Sequence, residues 1–286
     1  MSNFSKIISK FKNCKILVVG DVVLDKYIWG KVERISPEAP IPVVLVEKET
    51  HVPGGASNTA NNIVSLGGKA NMLGVVGSDL ARDIFKEELK KRGISTAGLV
   101  TDRNRPTIKK TRVMGYPQHQ IVRIDREKTS ELDNKIKKLL RKKAKDLVKD
   151  VDAIVISDYN KGTLDVSLAQ MLVLKAKSKK IPIVVDPKPS NKDWYIGATL
   201  ITPNKKEAFK MANEDAEKLD DVGEMLLKEL GGMILITRGE EGMSLFRKNK
   251  KALHIPTKAQ EVFDVSGAGD TVVGCLTLAL AAGASV

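Results

Sequence analysis

The apolar positions along the chain fall into short runs separated by helical stretches. Lys15–Gly20 reads KILVVG, a β-branched run that predicts a buried strand. Ala56–Leu66 has helical spacing, Ala70–Val76 is strand-like, and Leu80–Arg92 predicts a second helix. Further strands are predicted at Ala153–Ser157, Ile183–Asp186, Leu200–Thr202 and Met233–Thr237, with helices between them. This alternation predicts an α/β fold, a mostly parallel sheet covered by helices on both faces. In such sheets ligands sit beyond the carboxyl ends of the strands. Two segments break the pattern. Pro42–Glu47 alternates, and Thr107–Asp125 holds two strand-like pieces around Gly115-Tyr116-Pro117. They predict antiparallel ribbons outside the main sheet, with lid segments near 28–48 and 107–125. A lid would shield a reaction from water, and a decorative hairpin is the alternative.

Length adds little constraint: 286 residues suit one large α/β domain or two smaller ones, and since no repeat or linker divides the chain a single domain over 1–286 is expected. No run of 18 apolar residues occurs, so no membrane partner is expected. Met1–Asn13 is basic but lacks a signal-peptide apolar core, which predicts a cytoplasmic protein. Cys14 and Cys275 are too few for a disulfide framework, and His51, His119 and His254 lack ligand spacing. The net charge of +13 raises the question of nucleic acid. However, the lysines of Lys135–Lys149 read as a solvated helix face, and 4% aromatic residues leave few stacking platforms. No nucleic-acid partner is expected, and the charge reads as a field that attracts anionic substrates.

Candidate chemistry concentrates at 264–271, Asp-Val-Ser-Gly-Ala-Gly-Asp-Thr, followed by the apolar helical run from Val272. A small-residue turn opening a helix leaves N–H groups on the positive end of the helix dipole. Gly267 and Gly269 let that backbone approach a ligand, with Ala268 between them. Asp270 puts a carboxylate on the rim of this anion site. That suits phosphoryl transfer, where a hydroxyl must lose a proton while N–H groups steady the phosphoryl group. The alternative is that Asp270 only caps the helix.

Several motifs occur in one order: Gly54-Gly55-Ala56-Ser57-Asn58-Thr59-Ala60, then Asn204-Lys205-Lys206-Glu207, then Asp264–Asp270. Together they resemble the ribokinase, or phosphofructokinase-B, family of carbohydrate kinases, from about Cys14 onward. Gly20–Asp25, Arg34–Val43, Ser157-Asp158-Tyr159-Asn160-Lys161-Gly162 and Asp186-Pro187-Lys188-Pro189 resemble the branch acting on D-glycero-D-manno-heptose 7-phosphate, as does Val-Ser within the last motif. The resemblance implies a ribokinase-like three-layer sandwich with a small β lid. It also implies transfer of the ATP γ-phosphoryl group to O1, giving the 1,7-bisphosphate that leads to nucleotide-activated heptose for surface polysaccharide. A kinase of another sugar or phosphosugar, or a non-catalytic sugar- or nucleotide-binding regulator, remains the alternative.

By this resemblance Asp270 is the base, with Gly267, Ala268 and Gly269 as its anion cradle. Asp25 aligns with the family's sugar-binding Asp, and Asp21, Gly54, Gly55 and Asn58 are further sugar contacts. Isolated carboxylates after a strand also read as turn chemistry. Lys161 and Lys188, then Arg112 and Arg123, are the candidates for the substrate phosphate. Asn204 and Glu207 match the family's Asn-x-x-Glu motif, with Glu207 holding Mg²⁺ through water; a plain capping box is the competing reading. Thr237, Arg238, Gly239 and Gly242 resemble the nucleotide loop, and the resemblance implies a monovalent-cation site, such as one for K⁺, near Asp264. The family's further segment walling the adenine pocket has no counterpart before Val286, which implies a truncated chain or an incomplete pocket. The resemblance accounts for 1–286 as a kinase domain, and no nucleotidyltransferase domain is expected within it. The Pro42–Glu47 and Thr107–Asp125 ribbons should bury one apolar face, and two lids packing together would do this, which predicts a homodimer.

Overall fold

The computed structural model describes residues 3–116, 119–212, 217–257 and 267–285. The chain begins with α1 (Asn3–Ile8), β1 (Lys15–Gly20), β2 (Val22–Ile35), β3 (Pro42–Gly55) and α2 (Ala56–Ser65). Next come β4 (Lys69–Val76), α3 (Leu80–Lys91), β5 (Ser95–Thr101), β6 (Lys109–Gly115), β7 (His119–Arg126) and α4 (Asn134–Leu147). The second half holds β8 (Ala153–Ser157), α5 (Val166–Lys179), β9 (Ile183–Asp186), β10 (Leu200–Ile201), α6 (Lys205–Met211) and α7 (Leu219–Leu230). It ends with β11 (Met233–Thr237), β12 (Met243–Arg247), β13 (Lys250–Ile255) and α8 (Ala268–Ala281).

Nine strands form the main sheet in the order β13-β12-β11-β10-β9-β8-β1-β4-β5. All neighbours from β11 to β5 pair parallel, and β12 and β13 add an antiparallel edge. Both faces are covered. Leu17 and Val19 of β1 enter a core with α4, α5 and α7, whereas Ile16 and Val18 enter a core with α2, α3 and α8. That double burial is why the strands read as continuous apolar runs rather than alternating ones. Strand order reverses at β1: β4 lies on one side and β8 on the other. The crevice at the carboxyl ends of β1 and β8 is therefore the topological switch point, where such sheets bind ligands.

The lid is a second sheet of order β3-β2-β6-β7. It is larger than the sequence suggests, because β2 and β3 pair from Val22↔Gly55 to Ile35↔Pro42. The lid thus grows directly from the end of β1 and returns directly into α2. No helix among the described residues is long and apolar enough to cross a membrane.

Candidate active site

Asp270 sits in the first turn of α8 and is only 7% exposed. The helix N-cap is Gly267, in the left-handed region at φ 81°. A Cβ there would lie 2.7 Å from Asn58 Nδ2, so position 267 requires glycine on two counts. Asp270 is not the cap. Its Oδ2 accepts from Asn58 Nδ2 at 2.7 Å, and its Oδ1 accepts from Thr59 Oγ1 at 2.7 Å and Tyr159 Oη at 3.4 Å. Burial pushes its carboxyl up from the ordinary value, and these three donors pull against that shift. The first helical hydrogen bond runs from Thr271 N to Gly267 O, so the N–H groups of Ala268, Gly269 and Asp270 precede it. Gly269 is exposed, and a Cβ there would meet nothing within 4 Å. Packing does not demand glycine at 269. A close ligand would.

Asp25 lies at the root of the lid, on β2. It accepts a hydrogen bond from Arg112 Nη1 of β6, and that guanidinium also lies 5.3 Å from the Tyr27 ring centroid. A Cβ on Gly54 would stand 1.9 Å from Asp25 Oδ2, so glycine at 54 makes room for the carboxylate. Gly55 then precedes α2 as its N-cap. Arg123 of β7 is paired directly opposite Arg112, half exposed and bridged to Asp125 at 3.0 Å.

Asp21 departs from expectation. It is 0% exposed. Its Oδ2 accepts from the N–H groups of Tyr159 (3.1 Å) and Lys161 (3.0 Å), and its Oδ1 from Thr163 N–H (3.0 Å). Burial still pushes its carboxyl upward. Both Asp21 oxygens are thus engaged by the loop after β8, which Asp21 clamps in place. That loop carries Tyr159 and Lys161. The Lys161 ammonium pairs with Glu127 at 2.7 Å.

Lys188, after β9, donates to Glu207 Oε1 at 2.6 Å and lies 5.8 Å from the Tyr159 ring centroid. Burial lowers its ammonium pKa, but Glu207 and nearby aspartates more than offset this. The capping box at α6 is present: Glu207 N–H donates to Asn204 Oδ1 (2.9 Å), and Asn204 N–H to Glu207 Oε2 (3.1 Å). Glu207 therefore caps and pairs at once. Asn204 bridges Thr237 in parallel fashion, bringing the nucleotide-loop candidates beside α6. There Arg238 N–H donates to Gly242 O at 2.8 Å, and its guanidinium is tied back to Glu241 O at 2.8 Å. Gly239 heads the short turn between β11 and β12, at φ 61° with open space at its Cβ position. Asp264 lies outside the described residues.

Three participants carried no role in the sequence reading. Thr59 and Tyr159 fix Asp270 from α2 and from the β8 loop. Burial, with Asp270 next, pushes the Tyr159 phenol upward, so it acts as a neutral donor. Asp186, the last residue of β9, has its carboxyl raised to about 8 by burial and by the negative charges of Asp270 and Glu207. Their shared signal is position: Tyr159 and Asp186 stand at the carboxyl ends of central strands. Among the described residues no three His, Cys, Asp or Glu side chains converge to hold a metal directly. The crowding of Asp186, Glu207 and Asp270 nevertheless fits a divalent cation held through water.

The family model described as pfkB family carbohydrate kinase matches residues 13–286. The chain belongs to that family. It is accordingly a phosphotransferase acting on an alcohol group of a sugar. The bifunctional protein HldE of Desulfatibacillum aliphaticivorans is 43% identical over 282 residues, covering 97% of this chain and 58% of that protein. This pfkB-family chain thus spans under two thirds of that relative's length. The tetrameric inhibited form of phosphofructokinase-2 from Escherichia coli superposes with TM-score 0.75 at 20% identity, covering 95% of this chain and 88% of that one. Arabidopsis thaliana ribokinase complexed with ribose and ATP gives TM-score 0.69 at 16% identity, over 95% and 87%. Both share the ribokinase-like fold, a mostly parallel sheet flanked by helices.

Proposed function

We propose that this pfkB-family chain transfers the γ-phosphoryl group of ATP to O1 of D-glycero-D-manno-heptose 7-phosphate, yielding the 1,7-bisphosphate and ADP. The observation that carries the reading is Asp270, a buried carboxylate held by three side chains beside the leading N–H groups of α8. The O1 hydroxyl loses its proton to Asp270 as the new O–P bond forms and the bond to the β-phosphate oxygen breaks. The N–H groups of Ala268 and Gly269 stabilise charge on the phosphoryl oxygens. Because burial raises the Asp270 carboxyl, turnover rises with pH as the base ionises.

Asp25, with Arg112 against it and Gly54 beside it, accepts from sugar hydroxyls, and Asn58 adds a donor. Lys161 and Lys188, supported by Arg112 and Arg123, receive the 7-phosphate. The nucleotide lies along Asn204–Glu207 and Thr237–Gly242. Asp186 and Glu207 would hold Mg²⁺ through water, where the ion neutralises phosphate charge. The stretches around Asp21, Ser36, Tyr159 and Pro187, similar to the heptose-phosphate branch, support the choice of sugar, as does the HldE relative. The lid leaves Val32, Ile35, Leu45, Val46, Val122 and Ile124 exposed, which supports a homodimer through paired lids. Light scattering reads that state, and a monomer retaining full activity would count against it.

The test of substrate is coupled ADP release over a panel of sugar phosphates. Turnover is expected with heptose 7-phosphate. Turnover with a hexose phosphate and none with the heptose would overturn the assignment.

A further inference from the structure

The lid and the β8 loop meet at one ion pair. Glu127 directly follows β7, the outer strand of the lid, and its Oε1 lies 2.7 Å from Lys161 Nζ. Its other oxygen, Oε2, is buried without a hydrogen-bond partner. A buried carboxylate oxygen left unpaired is costly, so this placement is not explained by stability. The two backbones carrying the pair are pinned together by Arg105. That side chain is 6% exposed and bridges Asp102 at 3.0 Å. Its Nη2 donates to Ser130 O at 2.8 Å, while Nη1 reaches Lys128 O (3.4 Å) and Lys161 O (3.5 Å). Asp21 fixes the loop from its other side through the N–H of Lys161. Lys161 is therefore prepositioned by its backbone, independently of Glu127. What Glu127 changes is the charge the lysine offers.

We infer that Glu127 is a specificity-determining residue: its carboxylate holds the place on Lys161 that the substrate phosphate takes. The inference rests on the reading of Lys161 as a phosphate-binding group. An incoming group must displace a full negative charge from Lys161. A phosphate dianion can compete with that carboxylate, and a neutral sugar hydroxyl cannot.

The experiment measures KM for the phosphosugar, and separately the affinity for inorganic phosphate by calorimetry, in Glu127→Ala, Glu127→Gln and Lys161→Met. Removing the competing charge from a partly exposed pair should lower KM and tighten inorganic phosphate binding about fivefold in Glu127→Ala. Glu127→Gln should move both the same way by less, because a neutral acceptor remains. In the Lys161→Met background, Glu127→Ala should change neither. Unchanged or weaker phosphate binding in both Glu127 variants, with Lys161→Met weakened, would overturn the role of Glu127 alone. No effect of Lys161→Met on phosphate binding would instead remove Lys161 from the phosphate site and the inference with it. Thermal melts of each variant identify any loss of fold.

Discussion

Gly269→Ala separates stability from catalysis at the point where the proposed mechanism is most exposed. The position is exposed, has an ordinary φ, lies in the first turn of α8, and offers an added Cβ no neighbour within 4 Å. Alanine should therefore stabilise the fold by a few tenths to about 1 kcal/mol. At about 2–4 °C per kcal/mol for a chain near this size, Tm should rise slightly. The open space is also where the phosphoryl group is proposed to rest. A methyl group there pushes it off line, and a displacement of about 1 Å costs on the order of 10²-fold in rate. The assay pairs thermal melting with kcat from coupled ADP release. Gly267→Ala is the contrast: at φ 81° and 2.7 Å from Asn58 Nδ2, it should lose about 1–2 kcal/mol as well as activity. Wild-type turnover by a stable Gly269→Ala variant would refute the cradle.

Two further outcomes follow from the carboxylates. The folded state holds Asp186 up to about 8, while the unfolded chain releases its proton near the ordinary 3.8, so stability falls as pH rises through that window. Asp186→Asn should flatten this slope in urea midpoints, and Mg²⁺ should raise the wild-type midpoint more at about pH 8 than at about pH 5. Asp21→Asn leaves one acceptor oxygen for the three N–H groups that Asp21 now receives. It should lower stability by about 1–3 kcal/mol, seen as a lower Tm; an unchanged Tm with a raised sugar KM would make Asp21 a ligand group instead.

The parts of the fold legible in sequence were those buried on both faces. Ala153–Ser157, Ile183–Asp186 and Met233–Thr237 are strands with the expected bounds. The edge strands were not legible. Lys250–Ile255 is mostly exposed and charged at its start, and Ser95–Thr101 opens on small, polar residues. The lid ribbon extends beyond its apolar stretch because Asp25, Lys26, Lys31, Glu33 and Arg34 break up the apolar pattern of β2, which reads as loop in one dimension. At the site, Asp270 and Asn58 stood in recognisable local motifs. Thr59 and Tyr159 gained a role only when α2, α8 and the β8 loop met. The fate of Asp21 depends on N–H groups about half the chain away, which no local pattern reports.

The most direct test of the account is Asp270→Asn, assayed for turnover and for separate binding of nucleotide and sugar phosphate. Asn keeps the side-chain shape while removing the base, so both ligands should bind nearly as before and kcat should fall about 10²–10⁴-fold. Near-normal kcat in a folded Asp270→Asn variant would contradict the role of Asp270 in phosphoryl transfer.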